Sequence, residues 1–249
     1  MKFLFFVVLF VAPLFTSCQQ TLDRSPSNIF YQDDRQTHAL EDFPQWGRVA
    51  KTTDSDRHPW GTGFLIHSCY VATAYHVVQS TDIPLTGNER VYFHHFKAVL
   101  EASPVLWGDP LNASLNENDW VVLKLSECLD IEPLKMEALS KKELRERKLF
   151  NAGFPEDRHP KNISVDMHCQ SGPEVQEVGF GHDCATRPGS SGSPLLSSLD
   201  GKDVVIGLTV ASRGYFEDYI GGYSEWISNK ACPIGPLKRS FEKLLKESL

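Results

Sequence analysis

The sequence predicts an all-β fold, and three observations carry that expectation. Short β-type runs recur along the chain, turns rich in Gly and Pro separate them, and they fall into two sets on either side of a charged stretch. The first set covers 63–67, 70–74, 91–95 and 120–125. The second covers 149–154, 163–168, 193–196 and 204–211. Between them, 137–148 (Glu-Ala-Leu-Ser-Lys-Lys-Glu-Leu-Arg-Glu-Arg-Lys) reads as a solvated connection. In the tail 236–249, Leu237, Phe241, Leu244 and Leu245 share one helical face with lysines and glutamates opposite, which predicts a helix docked on the fold.

Composition narrows the function. A chain of 249 residues that is 41% hydrophobic suffices for one large domain or two small packed ones. The net charge of −7, with no basic stripe, zinc-finger spacing or phosphate-binding glycine loop, argues against a nucleic-acid partner. His94 and His95 lack carboxylate or cysteine partners at ligand spacing, so a cross-strand or surface role is expected of them rather than a metal site. Met1-Lys2 and the apolar run 3–12 have signal-peptide proportions and are short for a spanning helix. The six cysteines include no Cys-x-x-Cys and read as export chemistry rather than metal ligands. Cys232, beside the expected helix, reads as a small buried apolar residue.

Three segments carry chemistry. Gly189-Ser-Ser-Gly-Ser-Pro194 places Ser191 in a tight glycine-flanked turn, where the N–H groups of Gly189 and Ser191 point at a developing oxyanion. Gly61-Thr-Gly-Phe-Leu-Ile leads through an apolar run to Thr73-Ala-Tyr-His76, and Asp119 heads the apolar run Trp120-Val-Val-Leu-Lys-Leu125. The order His76, Asp119, Ser191 differs from that of an α/β-hydrolase, whose Gly-x-Ser-x-Gly fails here because Ser193 follows Ser191 by two. The three segments resemble those of chymotrypsin-like serine proteases. Ile29-Phe-Tyr-Gln-Asp-Asp-Arg35 resembles the mature N-terminal segment of the bacterial glutamyl-endopeptidase-like branch, which extends the resemblance over 29–230.

The resemblance implies two packed six-stranded antiparallel barrels, with the site in the cleft between them. The expected organisation is a signal peptide at 1–17, a tether at 18–28, an N-terminal barrel at 29–136 and a charged connection at 137–148. A C-terminal barrel at 149–230 and a helix at 231–249 complete it. His76 is then the base, Asp119 its orienting partner and Ser191 the nucleophile, with Gly189 and Ser191 amides as the oxyanion hole and no cofactor. The implied disulfides are Cys169–Cys184 and Cys69–Cys128. Ser190 stands where trypsin-like enzymes carry the Asp of their activation switch, so a charge-based switch is not expected there.

Ala185 stands where tryptic enzymes hold a selecting Asp, and Thr186 matches a threonine beside the substrate carboxylate of glutamyl endopeptidases. Thr209 replaces their pocket histidine, and Val210, Ala211 and Ser212 form the expected wall. A small or modest uncharged residue before the scissile bond follows. Phe15-Thr-Ser-Cys18 resembles a lipobox, so the exported chain is either a bacterial envelope lipoprotein lipidated at Cys18 or a secreted protein cleaved nearby. The expectation is a monomer with a polypeptide substrate, no nucleic acid, and membrane contact only through Cys18. Two other readings stand beside an endopeptidase: an inactive protease-like domain that binds peptides, and a structural envelope lipoprotein.

Overall fold

The computed structural model describes residues 29–30, 32–54, 60–109, 115–175, 179–213, 222–223 and 228–247, leaving aside side chains at 115–116, 173–175 and 211–213. The expected signal peptide, Cys18 and tether lie outside these residues. In chain order the strands are β1 (Gln36–Ala39), β2 (Trp46–Ala50), β3 (Trp60–His67), β4 (Tyr70–Thr73), β5 (Val91–His94), β6 (Val99–Trp107) and β7 (Val121–Leu125). They continue as β8 (Lys135–Met136), β9 (Lys148–Gly153), β10 (Asn162–Val175), β11 (Phe180–His182), β12 (Pro194–Leu199), β13 (Lys202–Arg213) and β14 (Ser228–Pro233). The helices are α1 (Tyr75–Val78), α2 (Leu115–Asn118), α3 (Lys141–Arg145) and α4 (Ile234–Glu247). Among the described residues no helix is long and apolar enough to cross a membrane.

Strands β2-β3-β4-β7-β6-β5 close into one antiparallel barrel. A second ring runs β9-β10-β11-β14-β13-β12, closed because β9 pairs with both β12 and β10. The period-2 alternation of a strand explains how two barrels share one interface. In β3, Leu65 fills the first barrel while its neighbours Phe64 and Ile66 pack between the barrels. In β7, Val121 and Leu123 point inward and Val122 outward. In β12 and β13, Leu195 and Ile206 fill the second barrel while Leu196, Val205 and Leu208 meet the first. Phe64 and Leu65 are both 0% exposed. Each such side chain contributes about 1.5–3 kcal/mol by leaving water.

Three boundaries differ from the sequence expectation. Residues 36–39, expected in the N-terminal barrel, form β1, which pairs with β10 of the second, Gln36 opposite Val165. Arg35, just before β1, is held against Asp157 in the β9–β10 turn at that same edge. The connection 137–148 is more than solvated linker: Ser140 and Glu143 form a reciprocal capping box on α3, and its one apolar residue, Leu144, packs onto the core of the second barrel. Ala231–Pro233, expected in the helical tail, finish β14 instead, because Ala231 pairs with Phe180 and Thr209 while Cys232 pairs with Leu208. The tail helix α4 then buries Ile234, Leu237 and Phe241, and Phe241 meets the Tyr70 ring edge-on at 5.3 Å. A helix that follows the second barrel thereby clamps the first.

Both implied disulfides are present, Cys69–Cys128 and Cys169–Cys184. The latter closes a separation of 15 residues. A loop of that size contributes about 3 kcal/mol in the chain-entropy picture. Cys232 takes part in neither disulfide and is buried between the barrels, and burial pushes its thiol well above the usual range, with the Asp119 charge acting in the same direction. His94 and His95 are buried rather than superficial, since their Nε2 atoms bond the carbonyls of Thr52 and Pro44, each at 2.8 Å.

His182 on β11 is 0% exposed, opposite Asn229 on β14 and Ser171 on β10. Neither ring nitrogen makes a hydrogen bond of full geometry among the described residues, and the Lys230 backbone offers only a minor offsetting interaction. Burial, with Lys230 nearby, drives its pKa down to about 3. Unfolded, the ring takes up a proton near pH 6.5, whereas the folded protein refuses it until about pH 3. The stability held above the unfolded value is therefore lost as pH falls through that window, by about 1.4 kcal/mol per pH unit. Urea unfolding of wild type and His182→Leu at pH 6 and pH 4 is expected to show an acid loss smaller in the variant by roughly that slope. Parallel pH dependence would mean that His182 titrates normally in the folded state.

Candidate active site

One turn of helix aims His76. In α1, Tyr75 and Val78 are buried in the first barrel, and the Tyr75 hydroxyl donates to Ile83 O at 2.7 Å while accepting from Leu85 N–H at 2.8 Å. His76, between these anchors, faces outward with 32% of its side chain exposed. Pairing of β4 with β7, Thr73 opposite Val121, brings Asp119 beneath it. Asp119 Oδ1 accepts the His76 backbone N–H at 3.0 Å, and Oδ2 lies 2.7 Å from Nδ1. A carboxylate so placed keeps the ring proton on Nδ1 and leaves Nε2 as the acceptor.

The loop carrying Ser191 is held through its carbonyl oxygens. Pro188 O accepts from Glu156 N–H at 2.7 Å, Ser190 O accepts from Ser193 N–H at 2.9 Å, and Ser191 O accepts from Thr62 N–H at 2.8 Å. Because a trans peptide points its C=O and N–H in opposite directions, the first two bonds turn the N–H groups of Gly189 and Ser191 away from their anchors. Among the described residues neither N–H donates to an acceptor. Gly189 has φ +94° and Gly192 φ +85°. A Cβ on Gly189 would run into Phe154 O, and one on Gly192 would strike Thr62 O and the Thr73 hydroxyl and lie 2.8 Å from Ala74 N. That contact seats the Ser191 loop on the residue preceding α1, which brings the Ser191 and His76 segments together.

Thr62 joins these parts. Its hydroxyl donates to Gly189 O at 2.9 Å and accepts from Phe154 N–H at 2.9 Å, while its own carbonyl accepts from the Thr73 hydroxyl at 2.7 Å. The Gly61-Thr-Gly motif was legible in the sequence, but this bonding role was not.

The expected pocket residues divide. Ala185 and Thr186 are buried, 5% and 3% exposed, and the Ala185 N–H bonds Asp166 Oδ2 at 2.6 Å. Burial raises the Asp166 pKa, against the lowering effect of bonds from His168 and Ala185 N–H. Thr209, expected in the pocket, instead supports the Ser191 loop. Its hydroxyl accepts from Asn151 Nδ2 at 3.0 Å, its N–H reaches Ser193 O at 2.9 Å and its carbonyl takes the Gly192 N–H at 2.7 Å. Strand alternation turns the Thr209 side chain toward the barrel interior, where Asn151 also bonds the Ser193 hydroxyl at 3.0 Å. Nothing in the sequence marked Asn151. Val210 packs between the barrels, and the side chains of Ala211 and Ser212 lie outside the described residues. Among the described residues no cluster of His, Cys, Asp and Glu is arranged to hold a metal ion.

Thr62→Val keeps the side-chain shape but strands the buried Phe154 N–H and Gly189 C=O. Denaturant unfolding is expected to show a loss of about 2–4 kcal/mol, and an unchanged midpoint would contradict the role assigned to the hydroxyl.

The trypsin-like peptidase domain matches residues 61–208, more than half of the chain. No curated protein matches it. Among solved structures, the serine endoprotease from Yersinia pestis aligns with TM-score 0.54 at 17% identity, a likeness of fold, over 82% of this chain and 64% of that one. The chain therefore spans less than two thirds of the length of that protease. With the two barrels, the His76–Asp119 pair and the domain match together, the chain belongs to the trypsin-like peptidase family.

Proposed function

We propose that this protein is an exported serine endopeptidase that hydrolyses peptide bonds through His76, Asp119 and Ser191. The observation that carries the reading is the His76–Asp119 pair, doubly bonded at 3.0 and 2.7 Å, because a ring so held presents Nε2 as a base. Ser191 Oγ adds to the substrate carbonyl carbon as His76 Nε2 takes its proton, and the resulting oxyanion is bound by the N–H groups of Gly189 and Ser191. Collapse breaks the C–N bond, and the leaving amine takes the proton back from His76. Water, deprotonated by the same nitrogen, then releases the acid from the acyl-enzyme. Two disulfides and the apolar run 3–12 support export, with Cys18 either lipidated or lost by cleavage nearby.

The pocket favours an uncharged residue before the scissile bond. Asp166 backs Ala185, Thr209 turns inward, and Arg187 is drawn toward Asp157, with Nε 3.8 Å from Oδ2. A carboxylate entering there loses hydration without gaining a cation.

Ser191→Ala and His76→Ala are each expected to lower turnover on the order of 10⁴-fold, with the double variant little worse than either. Fluorophosphonate labels wild type at Ser191 if the site is live; a folded protein that resists labelling and cleaves no peptide library would mean an inactive, peptide-binding relative. In a matched peptide series, Glu before the scissile bond is expected to be cleaved no faster than Gln. A preference of about a hundredfold for Glu would reveal a cation in the pocket.

A further inference from the structure

The Arg35 guanidinium is 2% exposed and grips two carboxylates at once. Nε and Nη2 donate to Asp33 at 2.8 and 2.9 Å, and Nη1 and Nη2 donate to Asp157 at 3.2 and 2.6 Å. Arg158 Nη2 adds a bond to Asp33 Oδ2 at 3.1 Å. Asp157 lies in the turn closed by Arg158 N–H on Pro155 O at 3.2 Å, directly after Glu156. Glu156 N–H is the donor that fixes Pro188 O, and Pro188 shares its peptide with the Gly189 N–H. On the other side, Asp157 faces Arg187 just ahead of the Ser191 loop. The same N-terminal stretch places Phe30 against Tyr223, ring centroids 5.5 Å apart.

We propose that Arg35 is a positioning residue for the oxyanion-binding peptide, clamping the 155–158 turn to the N-terminal segment so that the Pro188–Gly189 peptide keeps its N–H toward the reacting carbonyl. The assignment rests on the endopeptidase reading above. Burying a guanidinium among carboxylates is a poor route to stability compared with apolar packing, whereas two bidentate grips define an orientation. Lysine retains the charge but cannot reproduce that planar double fork. Arg35 and its partner Asp33 thereby serve the site, although they lie far from Ser191 in sequence.

The test compares wild type, Arg35→Lys, Arg35→Gln and the milder Asp157→Asn in the full mature chain. Loss of an oxyanion donor lowers kcat by about 10²–10³-fold. A misaligned donor is expected to cost on the order of 10- to 100-fold in kcat for Arg35→Gln, with KM within about twofold of wild type. Arg35→Lys should recover only a small part of this loss, and a peptide boronate should bind more weakly in step with kcat. Amide exchange across 187–191 should quicken in the folded variants while first-barrel strands stay protected. Unchanged kcat, a loss matching only the unfolded fraction, or full recovery by lysine would overturn the proposal. If wild type itself neither hydrolyses peptides nor takes up a fluorophosphonate, the endopeptidase reading fails. Exchange at 187–191 then still decides whether Arg35 orders the loop.

Discussion

Four hydrogen bonds at Thr62 hold the two barrels and the Ser191 loop in one frame. From β3 of the first barrel, this residue bonds Thr73 on β4, Phe154 just beyond β9, and the loop at Gly189 and Ser191. Thr62 is 0% exposed, so its own hydroxyl and backbone groups would pay a desolvation penalty if these partners were lost. The cleft geometry is thus tied to the register of β3. That register is in turn set by alternation, with Leu65 inside the barrel and Phe64 in the interface.

Preorganisation follows from this frame. The loop is positioned through peptide planes rather than side chains, with carbonyl anchors on Glu156, Ser193 and Thr62. Under the proposed endopeptidase reading, an oxyanion formed there would meet donors already turned outward, with no dipole left to reorient during the reaction. The requirement is local backbone crowding, which only residues lacking a Cβ satisfy at 189 and 192.

Charge around the cleft is set by a contest between partners and burial that goes opposite ways at two carboxylates. Asp33 accepts from Arg35, whose hydrogen bonds are the main influence holding its carboxyl below the ordinary range. That contribution to stability is present at neutral pH and lost as pH falls through the lowered value. Asp166 accepts two backbone N–H bonds, yet burial dominates and raises it. Its ionised form therefore opposes folding above the ordinary carboxylate range, and protonation relieves that cost. Opposite shifts of this kind show which carboxylates have a cation within reach.

The sequence by itself determined the all-β class, the two sets of strands, the tail helix and the three segments carrying His76, Asp119 and Ser191. Each of these is written in local periodicity or in a short motif that must supply a specific backbone turn. The resemblance added the barrel architecture and the disulfide pairing Cys69–Cys128 and Cys169–Cys184. What only the tertiary structure decided was side-chain direction and long-range partnership. The resemblance puts Thr209 in the pocket, but the partner its hydroxyl finds, Asn151 on β9, depends on how β13 sits in the closed barrel. Likewise β1 lies in the second barrel, where it pairs with β10 while Arg35 meets Asp157 across a separation of 122 residues. No local pattern encodes such a pairing, because it exists only once β1 has met the β9–β10 edge of the second barrel.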